Sequence, residues 1–150
     1  MTLKATQNET VSDGIVVSFH AKWQPLLDSR AVNCVFRKRG PRHITTNWIY
    51  VYVSTPTKAI VGRLPVKKVE VLSVRECMGY ATAGAITQDE LSKYATGYKE
   101  LFAFTVGNFK PANRVAGLNQ LRSRHGFTPP QSFLLLSKQG KRQLDKLLDF

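Results

Sequence analysis

Apolar residues along this chain fall into short runs separated by polar turns, and the runs are of two kinds. Ile15-Val16-Val17-Ser18-Phe19, Val32 to Arg37, Trp48 to Val53, Ala59-Ile60-Val61 and Leu101 to Val106 are rich in β-branched and aromatic residues, and each is short enough to be one strand. From Val69 to Val74 apolar and polar positions alternate, which predicts a strand with one buried and one wet face. Other stretches carry helical spacing. Trp23, Leu26 and Leu27 make one apolar stripe within Ala21 to Ser29, and Pro25 there is tolerated only in a first turn. Thr87 followed by Glu90 reads as a capping box opening a helix from Gln88 to about Ala95. Val115 to Arg124 predicts a short helix ended by Gly126, and Lys138 to Leu148 a basic amphipathic helix with Leu144, Leu147 and Leu148 on one face. Gly40-Pro41, Thr55-Pro56-Thr57, Gly107-Asn108 and Thr128-Pro129-Pro130 interrupt the pattern and mark turns or extended connections.

Short strands mixed with short helices predict one α+β domain over residues 14–150, after a flexible polar leader over residues 1–13. The expected architecture is a small mixed β-barrel of about five or six strands with short flanking helices. Val16, Phe19, Trp23, Leu26, Tyr50, Ile60 and Val69 are its expected interior. Ser18 to Arg39 and Trp48 to Gly62 are expected to wall a single cleft. Trp48, Tyr50 and Tyr52 share one strand face, so they are buried together or exposed together; exposed they would stack a base, but core packing is the expectation for most of them.

Charge adds what periodicity cannot. Among 150 residues there are 22 Lys+Arg against 10 Asp+Glu, a net charge of +12. Such an excess selects an anionic partner, nucleic acid ahead of an anionic membrane surface. No apolar run approaches the roughly 20 residues of a membrane span, and the N-terminus lacks the apolar core of a signal peptide, so a cytoplasmic protein without a membrane role is expected. Cys34 and Cys77 are far apart and outside any CxxC spacing, which suits reduced thiols. His20, His43 and His125 are isolated, and there is no phosphate-binding glycine loop, so neither metal nor cofactor is expected. Ser18 and His20 share a strand face, but a nucleophile and base also need an orienting group and an oxyanion hole. No paired carboxylates are placed for acid–base work.

The basic cluster is the stronger signal. Arg37, Lys38, Arg39 and Arg42 lie close together with His43 adjacent. The planar guanidinium fork suits phosphate, and a cluster at a strand end projects from the rim of a sheet. The alternative is a solvated charged turn.

His20-Ala21-Lys22-Trp23-Gln24-Pro25-Leu26-Leu27 resembles the strand-to-helix opening of ASCH domains, a branch of the PUA-like superfamily. Their following strand reads G-x-K-x-x-E-x-R; Arg30, Val32, Val35 and Arg37 fall on its glycine, lysine, acidic and arginine positions. Tyr50 to Pro56 with Ala59-Ile60-Val61-Gly62 is similar to the family's Y-x-S-x-P…A-I-V-G segment. Ile86-Thr87, Tyr94, Leu118 to Arg122, and Pro129-Pro130-Gln131-Ser132-Phe133 continue the likeness, which spans roughly residues 15 to 137. The resemblance implies a PUA-like barrel with a cleft between the helix after the first strand and the next two strands. It also implies binding of RNA, DNA or modified bases. Some small relatives are enzymes, a 4-acetylcytidine amidohydrolase and a ribonuclease among them. In the amidohydrolase type a lysine and a threonine three residues apart serve catalysis with a glutamate; Val32 and Val35 occupy those two positions here, and valine can neither take a proton nor attack a carbonyl. Glu70 and Glu76 are only nearby candidates for the acid.

The leading expectation is a non-catalytic nucleic-acid-binding module, with RNA favoured over DNA and a single strand or flipped base favoured over a duplex. Lys22, Arg37, Lys38, Arg39, Arg42 and Lys58 are its candidate phosphate contacts. Ser54, Thr55, Gln131 and Ser132 are candidate polar contacts, placed there by the resemblance. The alternatives are a nuclease or hydrolase of modified nucleosides using residues such as Ser18, His20 or Lys22, and a protein-interaction module docking through its last helix.

Overall fold

Residues 2–6 and 10–150 are described by a computed structural model. Their elements run β1 (Val11–Phe19), a 3₁₀ turn (Ala21–Trp23) continuing into α1 (Gln24–Asp28), β2 (Cys34–Arg37), β3 (Trp48–Val53), β4 (Ala59–Ser73), α2 (Val74–Met78), α3 (Gln88–Tyr94), β5 (Glu100–Val106), β6 (Lys110–Gly117), α4 (Leu118–His125), β7 (Leu134–Ser137) and α5 (Lys138–Leu148). Local chemistry sets several boundaries. Thr87 and Glu90 form the expected capping box at α3, and Ser73 with Glu76 forms another at α2. α4 stops where Gly126 takes a left-handed conformation that glycine enters without a Cβ clash.

The strands join in one sheet ordered β2-β5-β4-β3-β1-β7, with β6 paired to β4 off that path. β1 and β3 are parallel; the other pairs are antiparallel. The fifteen-residue β4 belongs to both halves: Ala59 to Pro65 pairs with β3, and Val66 to Ser73 pairs with β5 across a register shift between Val66 and Lys68. The sheet is thus α+β with seven strands, not five or six, and it does not close into a barrel. The extra strands are β6 and β7. Closure fails because β2 pairs only with β5, and the gap between β2 and the end of β1 is occupied by side chains rather than a ladder.

Apolar side chains segregate into separate clusters. One, with Ile15, Val17, Phe19, Val35, Val51 and Phe104, lies inside the curled sheet. A second packs Val16, Tyr50, Tyr52 and Ile60 against α4 and α5 through Leu121, Leu144 and Leu148. A third sits beneath α2 and α3. Val16, Phe19, Tyr50 and Ile60 are buried as expected, while Trp23, Leu26 and Val69 are half-buried at the rim of the first cluster. Period-two alternation sends Trp48, Tyr50 and Tyr52 into the second cluster, the core packing expected for most of them, but no residue of Trp48 to Gly62 lines the cleft between β1 and β2, so the expectation that this stretch forms one of its walls is corrected.

β1 starts at Val11, inside the stretch expected to be a flexible leader. Leu3 is 1% exposed, Lys4 bridges to Leu136, and the Ala5 N–H donates to the Leu135 carbonyl at 2.8 Å. Gly140 leaves room for this segment, since a Cβ there would strike the Leu3 backbone. Residues 7–9 of that leader lie outside the described residues. Among the described residues no helix is long and apolar enough to cross a membrane.

Candidate nucleic-acid interface

Alternation along β2 decides which way its side chains go. Val35 and Arg37 turn to the end of β1, whereas Cys34 and Phe36 turn to the third cluster under α3. The result is a cleft of about 490 Å³ with Phe19, Trp23, Val32, Val35, Ile86 and Leu91 as apolar lining. Its polar lining includes Ser18, Lys22, Arg37, Glu90, Lys93, Tyr94 and Gln131.

Arg37 is the centre of this cleft. Its guanidinium lies 4.6 Å from the Phe19 ring centroid and donates to the carbonyls of Phe36 at 2.7 Å and Ser18 at 3.2 Å. The second of these bonds bridges β2 to β1. Desolvation lowers the Arg37 pKa below the ordinary guanidinium value, and the nearby Tyr94 opposes that only in part. Among the described residues no carboxylate pairs with it. The side chain is half-buried and lacks a counter-ion among the described residues, and an entering anion supplies that charge.

The other candidates for chemistry at this cleft are already engaged. The Ser18 hydroxyl donates to the Pro130 carbonyl at 2.8 Å. His20 Nδ1 accepts from the Lys22 N–H at 3.1 Å, capping the 3₁₀ turn. Lys22 Nζ pairs with Glu90 at 3.4 Å on the exposed rim, where hydrogen bonds from Thr87, ahead of the Lys22 charge, hold the Glu90 carboxyl below the usual range. Val32 and Val35 are buried in the cleft wall. Burial, with smaller contributions from Cys77 and Glu70, pushes the Cys34 thiol up to about 12, so it is not a thiolate at neutral pH. The cleft therefore offers an apolar slot, one half-buried cation without an ion-pair partner among the described residues, and a polar rim.

The rest of the sequence-nominated set is dispersed. Lys22, Arg37 and Gln131 line the cleft. Lys38 and Arg42 line a neighbouring groove, and Arg39 is exposed. Ser54 and the exposed Thr55 and Lys58 occupy the turn after β3, which meets α1 through a Thr57–Gln24 hydrogen bond of 3.1 Å. Ser132 is half-buried beside Gln131. Sequence reasoning missed Tyr94 and Lys93 as lining groups, while Trp23, weighed as a base-stacking ring but expected to pack in the interior, lines the cleft. The capping box at Thr87 was the available signal for the first two, since it starts the helix that lays them along the cleft.

Other hollows lack this combination. One of about 660 Å³ lies between the N-terminal segment and residues 125–135, with Lys4 its only lysine or arginine. One of about 500 Å³ lies at the start of α5, where Lys141 is paired with Asp13 and Asp145. Among the described residues no group of His, Cys, Asp and Glu side chains is placed to hold a metal ion.

No family model matches the chain. An ASCH domain-containing ribonuclease from Zymomonas mobilis is 25% identical over 134 residues, covering 88% of this chain and 90% of the relative. The crystal structure of ASCH from Zymomonas mobilis matches with a TM-score of 0.81 at 24% identity, covering 90% of this chain and 95% of that one. The N-terminal domain of Staphylothermus marinus McrB matches with a TM-score of 0.58 at 14% identity over 95% of this chain and 99% of that domain.

Proposed function

We infer, for a chain that has the ASCH fold, that it is an RNA-binding module which seats a nucleotide in the β1–β2 cleft and holds its phosphate on Arg37. The observation that carries this reading is the half-buried Arg37 guanidinium in the cleft lining, stacked on Phe19 and, among the described residues, without a carboxylate partner. The slot admits a base and not a duplex, so the ligand is a single strand or an extruded nucleotide. The net charge of +12 supplies attraction independent of sequence. Lys22 and Gln131 contact the seated nucleotide at the rim, and Arg39, Ser54, Thr55, Lys58 and Ser132 meet the strand outside the cleft. RNA is favoured over DNA by the ribonuclease relative.

The test is a titration of labelled single-stranded RNA against wild type and Arg37→Ala across salt concentrations. Affinity should fall by about tenfold, as expected for losing a charge-assisted hydrogen bond. The salt slope should flatten by about 0.7. An unchanged affinity and slope would remove Arg37 from the interface.

A second reading, RNA cleavage in the same cleft, rests on the name of the Zymomonas relative. Against it stand the engaged Ser18, His20 and Lys22 and the valines at positions 32 and 35. Incubating the purified protein with labelled RNA separates the two: intact RNA is expected, and products that vanish with Arg37→Ala would make the cleft catalytic.

A further inference from the structure

Beyond the cleft, α3 ends at Tyr94 and the chain turns through Gly97, whose φ of +86° suits glycine, to present Tyr98. Tyr98 is 41% exposed. It borders a groove of about 290 Å³ whose lining includes Lys38, Arg42, Lys99, Glu100 and Phe102. Among the described residues none of Lys38, Arg42 and Lys99 makes an ion pair. Lys38 Nζ lies 4.8 Å from the Tyr94 ring centroid and 5.2 Å from that of Tyr98, and the Arg42 guanidinium lies 5.1 Å from that of Phe102.

The groove and the cleft meet at Lys38 and Tyr94. Tyr94 lines the cleft, Lys38 lines the groove, and the Lys38 N–H donates to the Tyr94 hydroxyl at 3.1 Å. Arg37 and Lys38 are consecutive, and one lines each hollow: Arg37, the last residue of β2, the cleft, and Lys38, just beyond the strand, the groove. An exposed aromatic ring flanked by unpaired cations matches what a single strand requires, a stacking platform for a base and positive charge for the backbone.

We propose that this groove is a second nucleotide subsite, in which Tyr98 stacks the base next to the one in the cleft while Lys38 and Arg42 hold the connecting phosphate. This rests on the RNA reading of the cleft. The bound unit is then at least a dinucleotide, and the strand crosses the chain at the Arg37–Lys38 peptide.

Binding of AMP and of the 5′-phosphorylated adenosine dinucleotide to wild type, Arg37→Ala, Tyr98→Ala, Tyr98→Phe and Lys38→Ala/Arg42→Ala decides the matter. Wild type should bind the dinucleotide at least about tenfold more tightly than AMP. Tyr98→Ala should remove most of that gain and leave AMP affinity unchanged, while Tyr98→Phe keeps the gain because the ring is retained. The double variant should lower dinucleotide affinity and flatten its salt slope by about 0.7, for the one connecting phosphate. Equal affinity of wild type for AMP and dinucleotide, or a gain that survives Tyr98→Ala, would overturn the subsite. The underlying cleft reading fails separately, when Arg37→Ala leaves AMP binding intact.

Discussion

Arg37 and Arg63 both leave a strand and both lie against aromatic rings, yet their surroundings differ in one respect. The Arg63 guanidinium is sandwiched between Trp48 at 3.9 Å and Phe150 at 4.2 Å, and its Nη1 reaches Asp145 at 3.3 Å and the Tyr50 hydroxyl at 3.4 Å. Tyr50 in turn donates to Asp145. Arg37 has a ring and backbone carbonyls but, among the described residues, no carboxylate. The paired arginine ties α5 and the C-terminal residue to the sheet; the unpaired one waits on an anion. Where a fold supplies the counter-ion, the charge serves architecture, and where it does not, the charge is left for a ligand.

The largest effect expected from this contrast is on stability. Arg63→Ala should cost about 2 kcal/mol, because it removes both ring contacts and one of the partners of Asp145, leaving that carboxylate to Tyr50 and Lys141. Urea unfolding measures it, and RNA affinity should stay within about twofold of wild type. Arg37→Met should reverse the emphasis, weakening RNA binding as Arg37→Ala does while costing less in unfolding free energy than Arg63→Ala, about 1 kcal/mol for the carbonyl bonds it gives up. A loss at Arg37 as large as that at Arg63 would break the comparison, since it would make both arginines structural.

A smaller effect concerns alkaline pH. Burial raises the Cys34 thiol from 9.0 to about 12, and raises the Tyr50 hydroxyl as well, with Asp145 adding to the latter. Both groups are neutral when protonated, so the folded state holds protons that the unfolded chain releases. Their stabilisation is complete below the unfolded values and is lost as pH climbs towards the raised ones. By pH 10 the Cys34 share should be about 1 kcal/mol. Comparing urea midpoints at pH 7 and pH 10 for wild type and Cys34→Ala checks it: the variant should lose less.

Much of the fold was legible because local and global preferences agree. Trp48–Val53 and Lys138–Leu148 have the bounds their periodicity predicts, and the α3 capping box holds. β6 was not legible: Lys110–Gly117 has no alternation and includes Pro111, as an edge strand can. The serine and glutamate that cap α2 were visible, but the alternation of β4 runs into Val74 and hides the break. The ASCH likeness carried the fold where periodicity alone could not. For the site, proximity in sequence misled. Arg37, Lys38 and Arg42 look like one cluster, but the end of β2 at Arg37 and the Gly40-Pro41 turn distribute them over two hollows.

The length of β4 has a mechanical meaning. One wall of the cleft hangs from β1 and the other from β2, and a path of hydrogen-bonded ladders joins them through β3, β4 and β5. Since β4 runs unbroken through both halves, the spacing of the walls is written into the curl of one backbone, with the Arg37–Ser18 bond as a clasp across the mouth. A guest arriving there meets a gauge already set. Widening it means unbending a strand, so the entropy of shaping the slot is spent when the chain folds rather than when the guest arrives.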